Sequence, residues 1–253
     1  TYDTLGSGIE NAIAVGKKLL AAGHASFGVR LDSGDLEYLS KKVRVKLDEA
    51  GLTEARIMAS NELDEYIVHQ LITQGAPIDT WGVGTHLVTG SGDPALSGVY
   101  KICARQNGSM WVPTIKVSNN PEKVTNPGIK QVWRFTNAEG NPLADLIGLE
   151  EDPPAPGAGH RFHHPMGDYR SFTLRDYARI TPLLSLRMKG GKILSDSPGL
   201  KALQARAIGE LERLDETYKR LINPHVYRVS LSTGLRDLKA RLIRENLPGG
   251  AHE

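Results

Sequence analysis

The chain has 253 residues, of which 40% are hydrophobic and 24% are charged, a composition typical of a folded globular protein. Its formal net charge of +2 excludes a broadly basic surface for nucleic acid, and no apolar run approaches the roughly 18 residues of a membrane-spanning helix. A single cysteine excludes an intrachain disulfide and a cysteine-rich zinc site, and it favours a reducing compartment. We therefore expect a cytoplasmic protein that binds neither nucleic acid nor membrane.

A strand followed by a helix organises the start of the chain. Residues 7–22 predict a first helix with Ser7 as its cap, and residues 25–31 form an apolar run typical of a buried strand. Ser33 or Asp35 can cap the next helix. The apolar side chains of that helix are spaced three and four residues apart and fall on one stripe: Leu36, Leu39, Val43 and Leu47.

Two further strand-and-turn units follow. Residues 55–59 predict a strand and residues 63–75 a helix, with Ser60 or Asn61 as its cap. A third strand, residues 80–83, leads into a glycine-containing turn. Such repeats require a parallel sheet with right-handed crossovers. A partial (β/α) barrel and a doubly wound sheet both satisfy this pattern, and periodicity alone does not separate them.

The sequence changes character after residue 96. Short apolar segments predict a small, mostly antiparallel sheet, and a proline- and glycine-rich loop over 152–160 precedes two helices, the first capped by Ser197. The predicted strands are 99–104, 111–117 and 131–135, and the predicted helices are 197–222 and 232–246. We expect three regions, over residues 1–96, 97–150 and 151–253.

Polar residues gather where the first strand ends. Alternation along the strand places Arg30 and Asp32 on one face, with Ser33 and Gly34 in the turn after them. A carboxylate can accept hydrogen bonds from sugar hydroxyls, and a guanidinium matches carboxylate or phosphate. These residues indicate a ligand that carries hydroxyl and acidic groups. A helix cap combined with a surface ion pair explains the same residues equally well.

The other two strand ends carry weaker signals. Backbone N–H groups at Gly84 and Thr85 can bind phosphate, although a plain tight turn is the more common outcome for such residues. Ser60 and Asn61 follow the second strand and suit a helix cap better than a ligand contact.

Three histidines lie close together in the sequence at His160, His163 and His164. They have neither helical spacing nor a cysteine nearby, so we assign no metal ligand to them.

Taken together and in order, several segments resemble nicotinate phosphoribosyltransferase. Each one alone is unspecific, but the match runs over almost the whole chain. The segments are Thr1-Tyr2-Asp3-Thr4, Gly28-Val29-Arg30-Leu31-Asp32-Ser33-Gly34-Asp35-Leu36, Ala59-Ser60-Asn61-Glu62-Leu63-Asp64-Glu65, Gly82-Val83-Gly84-Thr85, Gly98-Val99-Tyr100-Lys101, residues 120–128, Asn223-Pro224-His225 and Leu231-Ser232.

The resemblance implies an α/β fold that is part of an incomplete (β/α) barrel of the type II phosphoribosyltransferase kind, followed by a small, mostly antiparallel β region and C-terminal helices. It implies that nicotinate reacts with phosphoribosyl pyrophosphate to give nicotinate mononucleotide and pyrophosphate in NAD salvage. It also implies coupled ATP hydrolysis, a Mg²⁺ requirement and a homodimer. No ATP or metal ligand is assigned in this chain.

The resemblance also implies roles for individual residues. Arg30 matches the arginine beside the pyridine ring and phosphate, and Asp32 matches the aspartate that holds the ribose hydroxyls, so both are candidate catalytic residues. The remaining candidate substrate-binding residues are Ser33 and Gly34 in the turn, Ser60 and Asn61 near the ribose phosphate, and Gly84 and Thr85 at the phosphate.

One expected feature is missing from the sequence. The family's phosphorylated histidine, which couples ATP to the reaction, lies upstream of the matched region, and no segment here resembles it. We therefore expect this chain to be the C-terminal part of the enzyme and to be inactive alone. Two other function classes stay open: a non-catalytic module that binds nucleotide phosphate, and a hydrolase that uses Asp32 and Asp35 as a carboxylate pair.

Overall fold

The protein is a mixed α/β structure, seen in a computed structural model that describes residues 3–95, 97–120, 123–166 and 170–246. The chain divides into two compact units, Thr1–Gly98 and Val99–Glu253. Each unit has its own sheet and its own apolar core.

The first unit is built from strand–helix repeats, as the sequence predicted. Three parallel strands lie side by side in chain order and form an open sheet, not a closed barrel. The elements are α1 (Ile9–Ala21), β1 (Gly28–Leu31), α2 (Leu36–Glu49), β2 (Arg56–Ser60), α3 (Glu65–Thr73), β3 (Thr80–Gly82) and α4 (Thr85–Thr89).

One face of this sheet packs on the helices. Leu31 and Ile57 point into the core and meet Val43 and Leu47, two members of the predicted apolar stripe of α2. Because side chains alternate along a strand, this packing turns Arg30 of β1 to the opposite face. Burial of the apolar face therefore fixes which side of the sheet carries the polar groups.

The helix caps differ in part from those predicted. Asp35 caps α2 by accepting a hydrogen bond from the Tyr38 N–H at 3.0 Å, which confirms one of the two candidates. Ser7 does not cap the first helix, because the Asp3 carboxylate accepts from the N–H groups of Gly6 and Ser7 in a helical turn that precedes α1.

The predicted cap of α3 was wrong. Asp64 caps this helix by accepting from the Ile67 N–H at 2.8 Å. Ser60 still belongs to β2, and Asn61 and Glu62 have φ values of 92° and 35°, outside the right-handed helical region. The helix therefore begins only at Glu65.

The second unit contains a mixed six-stranded sheet in the order β10-β6-β7-β13-β8-β9, in which β13 runs parallel to β7. The elements of the second unit are β4 (Ala104–Asn107), β5 (Met110–Pro113), β6 (Lys130–Thr136), β7 (Pro142–Leu149), β8 (His160–His163), β9 (Ser171–Leu174), β10 (Arg179–Pro182), β11 (Met188–Lys189), β12 (Lys192–Ile193), α5 (Leu200–Glu212), β13 (Val229–Leu231) and α6 (Thr233–Asn246).

Several expectations for this unit need correction. The predicted strand over 131–135 is confirmed by β6, and the last predicted helix by α6. The predicted strand over 99–104 is displaced to β4, and α5 covers only part of the helix predicted over 197–222. Helix α5 starts after Gly199 without a side-chain cap, so Ser197 does not cap it.

The sheet of the second unit crosses residue 150, where the sequence predicted a boundary between regions. Strands β6 and β7 lie before that position, whereas β8, β9, β10 and β13 follow it in a segment expected to be loop and helix. Their shared core centres on the fully buried rings of Phe135 and Phe162.

Candidate functional site

The candidate residues meet at the carboxyl edge of the first unit's sheet. Leu31 pairs with Ala59, and Ser60 pairs with Gly82, so the three strands end at nearly the same level. The turns that follow begin with Asp32, Asn61 and Val83, and the carboxyl edge of a parallel sheet is where α/β proteins place their ligands.

Arg30, Asp32 and Ser60 form the centre of this edge. The Arg30 Nε–H donates a hydrogen bond to the Ser60 Oγ at 2.8 Å, and one terminal guanidinium nitrogen lies 3.6 Å from the Asp32 carboxylate. The side chains of Arg30 and Asp32 are 62% and 42% exposed, so both can be reached by a ligand. An ion pair this exposed contributes at most about 1 kcal/mol to folding.

The helix cap and the candidate ligand group are different carboxylates. Asp35 caps α2 through the Tyr38 N–H, which leaves the Asp32 carboxylate outside the cap. Both parts of the cap-and-ion-pair alternative are therefore present, the cap at Asp35 and the exposed ion pair between Arg30 and Asp32. The same assignment weakens the hydrolase alternative, because Asp35 is occupied as a cap.

The turn after β1 depends on a glycine. Gly34 has a φ of 78°, and a Cβ atom at this position would lie 3.1 Å from the Leu39 side chain. Beside the turn, a cavity of about 280 Å³ lies between β1 and the start of the chain. Arg30, Asp32, Ser33 and Thr4 contribute to its lining.

The turn after β2 is conformationally unusual. Asn61 and Glu62 both have positive φ values, a region that costs free energy for side chains other than glycine. Ser60, just before them, is buried and bonded to Arg30, so it serves neither as a helix cap nor as an exposed turn residue.

The turn after β3 is open. A Cβ atom at Gly84 would meet nothing within 4 Å, and Thr85 begins the short helix α4. Next to them, the His86 Nε2 lies 3.6 Å from the Glu62 carboxylate, so this turn and the β2 turn are neighbours. Glu62 and His86 could not be singled out from the sequence, because nothing in their spacing indicated that they meet.

The histidine group of the second unit has structural partners. His160 Nε2 lies 2.8 Å from the Ala155 carbonyl oxygen, His163 lies between Thr233 and Arg236, and His164 Nδ1 accepts from the Met166 N–H. Within the described ranges, no group of three or more His, Cys, Asp or Glu side chains is placed to hold a metal ion.

A buried polar network in the second unit was also missed. The Asp145 carboxylate accepts from Arg134 Nε and Nη2 and from the Tyr227 hydroxyl, each at 2.9 Å. Burial and the nearby carboxylate raise the pKa of Tyr227, and the hydrogen bond to Asp145 raises the pKa of Arg134. Because Arg134 also bonds Glu210, the network joins β6 and β7 to α5.

None of the helices in the described part of the chain is long and apolar enough to cross a membrane.

Comparison with known proteins connects the chain to one family. Residues 129–239 match the family model of the nicotinate phosphoribosyltransferase C-terminal domain. The chain is 42% identical to nicotinate phosphoribosyltransferase of Bacillus subtilis over 97% of its own length and 50% of that protein. It is 35% identical to the human enzyme of the same name over 98% of its length and 46% of that protein.

The fold comparison agrees with the sequence comparison. A crystal structure of human nicotinic acid phosphoribosyltransferase superposes with a TM-score of 0.69 and 30% identity, over 94% of this chain and 44% of that one. The chain spans about half the length of the curated relatives it matches. By sequence and by fold the chain is therefore related to the nicotinate phosphoribosyltransferases, and its residues 129–239 belong to their C-terminal domain family.

Proposed function

We propose that the protein carrying this chain joins nicotinate to phosphoribosyl pyrophosphate, forming nicotinate mononucleotide and pyrophosphate in NAD salvage. The observation that carries the proposal is the cluster of Arg30, Asp32 and Ser60 at the carboxyl edge of the parallel sheet. The names of the relatives support the reaction, since those matching over nearly the whole chain are called nicotinate phosphoribosyltransferases.

Arg30 and Asp32 have complementary roles in this proposal. The Asp32 carboxylate accepts hydrogen bonds from the ribose hydroxyls, and its negative charge stabilises the positive charge that develops on the ribose ring as pyrophosphate leaves. The Arg30 guanidinium binds an anionic group of the nucleotide, carboxylate or phosphate. Catalysis then rests on positioning and on electrostatic stabilisation of the transition state.

The other strand ends would hold the phosphate group. The open space at Gly84 allows a phosphate to approach the backbone N–H groups of Gly84 and Thr85. Asn61 lies on the neighbouring turn, and its left-handed backbone supports a site shaped for function. Ser33 and Gly34 complete the proposed pocket beside the ribose.

ATP and Mg²⁺ are further expectations from the family resemblance. Mg²⁺ in phosphate-binding sites is commonly held by one or two carboxylates together with substrate phosphates. The described residues contain no preassembled cluster of metal ligands, and Asp32 is the only carboxylate that we place beside the proposed substrate. We assign no residue of this chain to either group, and the roles proposed for Arg30 and Asp32 require neither.

We further propose that the first unit is part of an incomplete α/β barrel, and that the enzyme is a cytoplasmic homodimer. The three parallel strands with their crossover helices support the barrel assignment. Exposed apolar side chains on α4, Leu87 at 71% and Val88 at 86%, support a surface that another chain covers.

The direct test is turnover. The intact protein is assayed for nicotinate mononucleotide formation from nicotinate and phosphoribosyl pyrophosphate, alongside the Arg30→Ala, Asp32→Ala and Arg56→Ala variants. Arg56 is the matched control, an exposed arginine at the opposite end of the same sheet. We expect at least about a tenfold loss of kcat/KM in the first two variants, since each removes a charge-assisted contact.

Two outcomes would contradict the proposal. Absence of product with well-folded wild-type protein would favour the non-catalytic nucleotide-binding module. Equal activity of Arg30→Ala, Asp32→Ala and the control would place the chemistry elsewhere.

A further inference from the structure

The orientation of Arg30 is set by a neighbouring strand. Arg30 on β1 pairs with Met58 on β2, and Ser60 follows two residues later on the same face. Ser60 is therefore the diagonal cross-strand neighbour of Arg30, within reach of a long side chain. The 2.8 Å hydrogen bond from Arg30 Nε to Ser60 Oγ uses this relation.

Ser60 differs from Arg30 in its freedom to move. The serine is 8% exposed and lies in the central strand, whereas the Arg30 side chain is 62% exposed at the sheet surface. The buried Ser60 hydroxyl thus accepts a hydrogen bond from Nε of the exposed Arg30 guanidinium. The hydrogen bond removes rotamer freedom from Arg30 before any ligand arrives.

The third strand leaves room for this arrangement. Gly82 pairs with Ser60, and a Cβ atom at Gly82 would lie 3.1 Å from the Ser60 Cβ. Such a distance is too short unless the serine moves. The absence of a side chain at Gly82 therefore allows Ser60 to occupy its observed position.

We infer that Ser60 is a positioning residue, which turns the guanidinium of Arg30 so that its Nη1–Nη2 edge faces the ligand's anionic group. This inference rests on the proposed function. An arginine can bind a planar anion through Nε and one terminal nitrogen or through both terminal nitrogens. Ser60 occupies Nε, which excludes the first mode. Nη2 lies 3.6 Å from the Asp32 carboxylate, beyond hydrogen-bond distance, so the second mode is the one left for the ligand.

The assignment changes the role expected of Ser60. The family resemblance implied a contact with substrate, whereas the geometry makes Ser60 act through Arg30. Carboxylate and phosphate both fit the Nη1–Nη2 edge. Nicotinate mononucleotide carries both groups, whereas nicotinamide mononucleotide carries only the phosphate. Comparing the binding of the two ligands therefore shows whether the carboxylate or the phosphate contacts Arg30.

A double-mutant cycle on the intact protein tests the inference. Calorimetric affinities for the two mononucleotides are measured for the wild type, Ser60→Ala, Arg30→Ala and the double variant. Ser60→Thr is the rescue, because it keeps the hydroxyl. Ser40→Ala is the matched control, since Ser40 is a buried serine whose hydroxyl donates to a carbonyl within α2.

We expect Ser60→Ala to weaken binding up to about tenfold, because Arg30 must then be ordered when the ligand binds. Ser60→Thr should recover most of the affinity, and Ser60→Ala should add little in the Arg30→Ala background, because residues that act together are not additive. Weaker binding of both nucleotides identifies phosphate as the bound group, and weaker binding of nicotinate mononucleotide alone identifies the carboxylate.

Additive effects of the two substitutions, or a Ser60→Ala variant that matches Ser40→Ala, would overturn the inference while leaving the proposed function standing. Failure of the wild type to bind either nucleotide would instead count against the proposed function.

A further variant, Gly82→Ala, keeps the side chains of Arg30 and Ser60 but adds a methyl group that displaces Ser60. We expect it to reproduce the Ser60→Ala loss in affinity, and unchanged affinity would contradict the role given to Gly82.

Discussion

Asp145 shows what a buried carboxylate needs in order to be tolerated. Taking such a charge out of water costs several kcal/mol, roughly, unless partners replace the lost hydration. Arg134 supplies two hydrogen bonds and the countercharge, and Tyr227 supplies a third hydrogen bond. The result is a hydrogen-bonded junction that joins β6, β7 and Tyr227 within the second unit.

Tyr227 gives this network a measurable pH dependence. Burial, together with the Asp145 carboxylate, raises the pKa of Tyr227 above its ordinary value of 10.0 in the folded protein. The folded state therefore keeps a proton that the unfolded state releases. This stabilisation is complete below pH 10.0 and declines as the pH rises above it.

We expect a Tyr227→Phe variant to lose about 1–3 kcal/mol of unfolding free energy at neutral pH, because Asp145 loses one donor. Its stability should then fall less steeply than that of the wild type above pH 10.0. Urea denaturation at a series of pH values measures both effects. Parallel pH curves for the two proteins would show that Tyr227 does not resist ionisation in the folded state.

Some residues of the candidate site could be predicted and others could not. Alternation along β1 was enough to place Arg30 and Asp32 together, and they lie 3.6 Å apart. The bond between Arg30 and Ser60 joins residues 30 positions apart. It depends on the register of β1 against β2, which no local pattern specifies.

At the scale of elements, the helix caps allow the structural role of a carboxylate to be tested apart from a catalytic role. Asp35 and Asp64 each accept a backbone N–H at the start of a helix. Asparagine caps helices about as well as aspartate does. Asp35→Asn therefore keeps the cap while removing the charge that the hydrolase alternative requires.

We expect Asp35→Asn to leave both the melting temperature and the turnover close to those of the wild type. Thermal unfolding and the turnover assay check this directly. A large loss of activity with unchanged melting temperature would return Asp35 to the chemistry and favour the carboxylate-pair mechanism.

The strands of the first unit could be predicted because apolar runs there alternate with amphipathic helices. Most strands of the second unit could not. In β8, with sequence His160-Arg161-Phe162-His163, only Phe162 carries an apolar signal, and β13 has three residues. Strand β13 pairs in parallel with the distant β7, so its position is set by tertiary packing.

At the scale of the whole molecule, the chain divides into two compact units, whereas its composition suggested three regions. The sequence pattern changes near residue 97, close to the boundary between the units, because the parallel strand–helix repeats end there. The loop over 152–160 connects strands of one sheet, since β7 and β8 both belong to the six-stranded sheet. Proline and glycine content shows where a chain turns, but not whether a domain ends.

The proposed activity lies in one of the two units. All the proposed ligand-binding residues lie in the first unit, whereas the family-model match lies wholly in the second. The match to the C-terminal domain therefore identifies the relatives, and the strand ends of the first unit carry the chemical argument.

We propose that these strand ends bind a phosphoribosyl nucleotide. The most direct test is isothermal calorimetry of the intact protein with nicotinate mononucleotide, for the wild type, Arg30→Ala, Asp32→Ala and the Arg56→Ala control. We predict saturable binding that the first two substitutions each weaken by more than about 1 kcal/mol and that the control leaves unchanged. Absence of binding by folded wild-type protein, or equal affinities across all four proteins, would contradict the claim.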